Sequence, residues 1–292
     1  MLRGAFSIVS VRFRYNDGMY TSSEGVPERP KRAFVPRTFA VLIAIIVFVT
    51  WLLYTPDGLL GKADAVGYAL CHRIDLRSFQ LGTRQMPLCA RCTGMYLGVL
   101  IGLGFYITRR TKAGRYPDKA VSAALICFAA IWAVDGLNSY LQLLPMASGV
   151  YHPSNMLRLI TGTLVGISLA TLVYPAFSQF SWKDAQNEPV LRSFKDLGLL
   201  LLIAAILVAF VLDGNPLVLY PLAVASTLSA FLILTIVYTS VVLAVSRREN
   251  RAERWRDLFT PIVIGLTLAV IQIGAIDLLR YTLTGTWAGF HF

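Results

Sequence analysis

Residues 197–212, 217–245 and 262–276 form apolar runs almost free of charge, each long enough to cross or nearly cross a bilayer. A helix of roughly 20 apolar residues spans the hydrocarbon core, and only a helix or a closed barrel satisfies its own backbone there. The whole chain has the same character: 56% of its residues are hydrophobic and 15% charged, against about a quarter charged in soluble proteins. Seven spans are expected, at residues 39–54, 93–108, 120–137, 157–177, 197–212, 217–245 and 261–281. The fold class is therefore an all-α, polytopic transmembrane helical bundle. The sixth run is long enough to tilt or to project beyond the bilayer.

Lys and Arg outnumber Asp and Glu by 27 to 16, a formal net charge of +11. No nucleic-acid motif accompanies the excess, which sits in the connections and reads as an orientation signal. Basic residues fill the N-terminal tail (1–38) and the connections around Arg109–Arg115, Lys183–Lys195 and Arg247–Arg256. The connections at residues 141–153 and 213–216 and the C-terminal tail 284–292 lack them. A cell-membrane protein with a cytoplasmic N-terminus and an external C-terminus follows. The tail reads as poorly ordered, and no apolar core near Met1 suggests a cleaved signal.

The connection between the first two spans is the exception, because it is predicted external yet carries Lys62, Arg73, Arg77, Arg84 and Arg91. It begins with a short amphipathic stretch, residues 59–70, suited to the membrane interface. Cys71-His72 follows, then two short extended segments about Gly82, a hairpin that returns Cys89-Ala90-Arg91-Cys92 towards Cys71. Residues 59–178 thus read as a three-span module with an external cysteine hairpin, after a first span at 39–58 and before a three-span region at 179–292.

Three chemistries fit the cysteines. Cys71, His72, Cys89 and Cys92 have donor types and spacing suited to zinc or another transition metal. Adjacent Cys71 and His72 bind one ion awkwardly, so His152 or Asp135 is an alternative fourth ligand. Cys89 and Cys92 also sit where a helix begins; its dipole and Arg91 favour a thiolate, as in membrane thiol oxidoreductases that pass electrons to a quinone. The third possibility is a structural disulfide from Cys71 to Cys89 or Cys92. Cys127, in mid-span, reads as a small core residue.

Polar residues inside the spans gather at the level of the cysteines: Asp135 with Asn138, Asn155 with Arg158, and Asp277 with Arg280. An Asp135–Arg158 pair between neighbouring spans is the economical expectation, because each group alone is costly at that depth. Asp277 and Arg280 read as interface residues. Arg77, Arg91 and Arg158, with Asp135 and Asn155, form a candidate site for an anionic lipid headgroup, a lipid-linked phosphate or a small anion. Gly94, Gly98 and Gly102, and Gly162 with Gly166, read as ridges for close helix packing. A non-catalytic transporter or structural role is the alternative from another class.

The residues Cys71-His72, Arg77-Ser78-Phe79, Gly82, Pro87 to Gly94, Asp135-Gly136 and Asn155-x-x-Arg158-x-x-Thr161-Gly162 carry a resemblance. Together they resemble a family of predicted integral membrane proteins, domain of unknown function 2085, over residues 59–171. The resemblance implies a membrane protein and supplies no reaction. It also implies that the cysteine hairpin and the Asp135, Asn155 and Arg158 constellation belong to one module. At Arg73 this chain departs from the family, which has a polar uncharged residue there.

Overall fold

The structure, a computed structural model, describes residues 35–142 and 149–289; the N-terminal tail expected to be poorly ordered lies almost wholly outside them. The described residues form eight helices, seven of them long and apolar enough to cross a membrane. The spans are α1 (Arg37–Tyr54), α3 (Ala90–Arg109), α4 (Lys119–Leu141), α5 (Asn155–Ser181), α6 (Phe194–Asp213), α7 (Pro216–Val245) and α8 (Phe259–Thr284). Each expected span is present. The helices run up to four residues past the expected ends, because capping groups rather than hydropathy decide where a helix stops. Ser154 and Asn215 accept from the first-turn amides of Leu157 and Leu217, and Gly214 and Gly285 close α6 and α8 in the left-handed conformation.

The centre of the bundle is the α3–α5 pair, and glycine is the reason. A Cβ added to Gly94 or Gly98 would fall inside the carbonyl oxygen of Leu159 or Thr163, and one on Gly162 or Gly166 inside that of Arg91 or Met95. The two ridges read from the sequence therefore interlock backbone to backbone. On α4, by contrast, Ile126, Ile131, Val134 and Leu137 face outward. Cys127 is exposed on the same helix, which corrects its expected core position.

Helix α2 (Gly58–Leu70) is the eighth helix. It was expected along the membrane interface, yet Ala63, Ala65, Val66, Gly67 and Tyr68 are buried and it packs against α7 and α8. A Cβ on Gly67 would overlap the Pro87 carbonyl oxygen, so only glycine lets α2 dock on the returning hairpin. That hairpin, β1 (Gln80–Leu81) and β2 (Arg84–Gln85), pairs Gln80 with Gln85 and Leu81 with Arg84. Gly82 turns it at φ 66°. At the opposite end β3 (Ala113–Arg115) lies parallel to β4 (Gln186–Pro189).

The cysteine cluster and its arginine shell

Because β1 and β2 fold the chain back, Cys89 meets Cys71 where α2 ends and α3 begins. The backbone amide of Cys89 donates to Cys71 Sγ at 3.4 Å. Cys89 is the N-cap of α3 and Cys92 lies in its first turn, so both thiols feel the positive end of the helix dipole. The sulfurs of Cys71, Cys89 and Cys92 all lie within 4.8 Å of one another. Leu88 and Tyr96 pack around them; Cys71 and Cys89 are buried and Cys92 partly so.

The Cys71 and Cys89 thiols are driven in opposite directions. Hydrogen bonds from Cys89 and then Cys92 hold the Cys71 thiol well below its ordinary pKa, outweighing the burial that raises it; neighbouring His72 acts in the same direction. The Cys89 thiol, donating to Cys71, is pushed up to about 12, with burial adding to the rise. His72 is outside the group of converging sulfurs, although its Nε2 is buried without a hydrogen-bond partner among the described residues. Neither alternative fourth ligand joins them: His152 is exposed, and Asp135 is engaged elsewhere.

Asp135 pairs with Arg91, which corrects the expected pairing with Arg158. Arg91 Nε donates to Asp135 Oδ2 at 3.0 Å, with Nη2 bound to the same oxygen. Arg91 Nη2 also reaches the Asp135 carbonyl at 3.1 Å and Ser139 Oγ at 2.9 Å. The hydroxyl of Tyr151 donates to Asp135 Oδ1 at 2.9 Å; burial, then that bond, raises its pKa. Arg91 wins because it follows Ala90 on the first turn of α3, against the last turns of α4.

Arg158 instead donates to Asn155 Oδ1 at 2.8 Å. Asn155 in turn bonds the carbonyls of Leu76 and Ser78 at 3.3 and 3.4 Å, tying α5 to the cysteine hairpin. Arg77 donates to the Ser139 carbonyl at 2.9 Å. Its pKa is lowered by burial and then by the charge of Arg91, against a pull from Cys89. Arg77, Arg91, Asp135, Asn155 and Arg158 therefore form one neighbourhood beside the cysteines.

The profile of a family described as predicted membrane protein, domain of unknown function 2085, matches residues 71–172. An uncharacterized protein of Methanocaldococcus jannaschii is 32% identical over 120 residues, 41% of this chain and 70% of that protein. Another, of Methanothermobacter thermautotrophicus, is 31% identical over 103 residues, 35% of this chain and 83% of its own length. The chain belongs to this family of predicted membrane proteins. No solved structure matches it. The family segment contains the cysteines and the whole arginine neighbourhood.

What braces the family segment comes from outside it. Arg280 of α8 donates to the carbonyls of Tyr68 and Cys71, the latter at 2.8 Å, and its guanidinium lies 4.1 Å from the Tyr68 ring centre. Tyr68 donates to the Thr286 carbonyl at 2.8 Å, and Trp51 Nε1 to Asp277 Oδ2 at 3.3 Å. Asp277 is thus buried against Trp51. Arg73 pairs with Asp64 at 3.0 Å, and Arg84 with the same carboxylate. Lys62 caps α1 through the carbonyls of Leu52 and Thr55. Arg73 and Arg84 thus share one carboxylate, and Asp64, on the helix read as interfacial, was the missed partner.

Proposed function

We propose that the cysteine end is a metal-stabilised module that binds an anionic, lipid-like ligand. The observation that carries this is the convergence of three sulfurs from two separated segments within 4.8 Å. A tetrahedral zinc ion with Zn–S of about 2.3 Å needs sulfurs roughly 3.8 Å apart, a small inward movement. A single disulfide would consume two of the sulfurs and leave the third without a role. Cys71, Cys89 and Cys92 would hold zinc or a similar thiophilic ion, leaving a fourth position for His72 or an incoming ligand. The ion would act as a clamp that fixes the hairpin against α3. Arg77, Arg91 and Arg158 would then face the ligand, with Asp135 orienting Arg91.

The second reading is thiol–disulfide exchange, favoured by the helix-terminal position of Cys89 and Cys92. Oxidising both thiols to a disulfide would release two protons and two electrons, reducing a membrane quinone to quinol. Protein purified without chelator separates the two readings. One equivalent of zinc or a similar ion, with Cys71, Cys89 and Cys92 unreactive until denaturation, supports the metal reading. A metal-free protein with a reducible Cys89–Cys92 disulfide overturns it in favour of redox chemistry.

The N-terminus is proposed to be cytoplasmic and the cysteine end external. The basic residues at the cysteine end bond to protein acceptors, so they do not argue against that orientation. The basic connections 109–115, 183–195 and 247–256 lie at the other end. Thr286 is exposed. In a cysteine-free background, Thr286→Cys should react with an impermeant thiol reagent from outside whole cells. Labelling from the cytoplasmic side alone would reverse the assignment.

A further inference from the structure

Among the described residues Asn155 is the acceptor for Arg158, and the Arg158 Nε atom is buried with no partner. Only 6% of this residue is exposed. A buried guanidinium normally faces a carboxylate, because water can no longer screen it. Here the carboxylate at hand, Asp135, is already occupied by Arg91, Tyr151 and, at 3.5 Å, Thr161. Arg77 likewise has a neutral acceptor, the Ser139 carbonyl. Arg77, Arg91 and Arg158 also lie near enough to repel one another. Two guanidiniums in a partly dry setting, at the N-terminus of the 27-residue α5, thus have no carboxylate partner among the described residues. The dipole of α5 adds to their preference for an anion.

The second observation is a cleft of about 350 Å³ between α4 and α5 beside this charge. Ala130, Ile131, Val134 and Leu157 wall it, while Asp135 and Tyr151 lie at its polar part. Val134 and Ile131 are 63% and 43% exposed on a helix face that would meet lipid, so the cleft opens sideways. On α5 Arg158 follows the cleft residue Leu157 in sequence; Arg158 and Arg77 border the cleft without lining it.

We infer that Arg158 and Arg77 receive the phosphate of a phosphate monoester carried on a hydrocarbon chain, with the chain leaving through the α4–α5 cleft. The inference rests on reading the cysteine end as an anion-binding module, and it names the ligand class. A terminal phosphate offers three free oxygens, enough for both guanidinium forks. A phosphodiester offers two, and its second alcohol needs room beside a buried arginine. Arg91, held by Asp135, is a positioning residue here.

The test uses the full chain in detergent, with thermal unfolding and direct binding measured against four probes. Phosphatidic acid should raise the melting temperature and bind at least tenfold more tightly than phosphatidylglycerol. Phosphatidylcholine should have no effect, and inorganic phosphate should compete weakly. In Arg158→Met the response to phosphatidic acid should vanish while lipid-free stability stays equal or rises, because an uncompensated buried charge has been removed. Arg158→Lys and Arg77→Met should each weaken binding roughly 10- to 100-fold, the range of one charge-assisted hydrogen bond. Arg158→Lys serves if the methionine variant does not fold. Bound metal should be unchanged in every variant. Its absence from the parent protein would contradict the metal reading alone. Equal binding of phosphatidic acid and phosphatidylglycerol would overturn the monoester assignment, and inorganic phosphate binding as tightly as the lipid would overturn the chain. An unchanged lipid response in Arg158→Met and Arg158→Lys would remove the site.

Discussion

The two ends of the bundle handle charge in opposite ways. At the end formed by β3, β4 and their neighbours, most ion pairs meet in solvent: Lys183 with Glu253 at 2.6 Å, Lys112 with Asp184 at 2.9 Å and Arg115 with Asp118 at 3.8 Å, with Arg110–Asp196 at 3.2 Å the half-buried exception. Exposed pairs of this kind add little, since water screens them and ordering long side chains costs entropy. At the cysteine end, buried or half-buried arginines reach across helices to a carboxylate or to carbonyls. Arg91 joins α3 to α4, Arg77 joins the hairpin to α4, and Arg280 joins α8 to α2. Charge is largely solvated at one end and ties helices together at the other.

The largest effect expected is on the cysteines themselves. Cys89→Ser should reduce metal affinity by more than about 100-fold, since even outer partners of metal ligands are worth 10- to 100-fold. Metal competition with a chelator measures it, and unchanged affinity would show the sulfurs to be bystanders. Asp135→Asn comes next: it strands Arg91 and should cost about 3–5 kcal/mol in denaturant unfolding. A loss no larger than that of an exposed pair would erase the contrast between the ends.

Arg280→Met removes bonds to the Tyr68 and Cys71 carbonyls and should cost about 1.5–3 kcal/mol, with faster alkylation of Cys71 in metal-free protein. Unchanged alkylation would mean that α8 does not brace the cluster. Gly166→Ala should cost about 1–3 kcal/mol through overpacking against the Met95 carbonyl. The smallest effect is at the other end, where Lys183→Ala should leave the melting temperature unchanged.

The spans were legible because hydropathy alone dictates them, and the glycine ridges because close packing in lipid favours small residues at four-residue spacing. Pairing was less legible. Asp135 had several arginines within plausible reach. Arg91 won because its side chain reaches Asp135 from the first turn of α3, while Arg158 is held by Asn155. The pairing of Arg73 and Arg84 was not legible because Asp64 lay on a helix expected at the interface. Only the docking of Gly67 on Pro87 turns that helix inward. The partners of Asp277 and Arg280, Trp51 and the end of α2, were not legible for a related reason: they lie more than 200 residues earlier in the chain.

The proposed metal centre is tested most directly by X-ray absorption at the edge of any metal that co-purifies with the protein. Three sulfur scatterers at about 2.3 Å, with one lighter nitrogen or oxygen neighbour, are predicted for an ion held by Cys71, Cys89 and Cys92. A shell of oxygen and nitrogen alone, or protein that binds no metal while its thiols are reduced, would contradict the account.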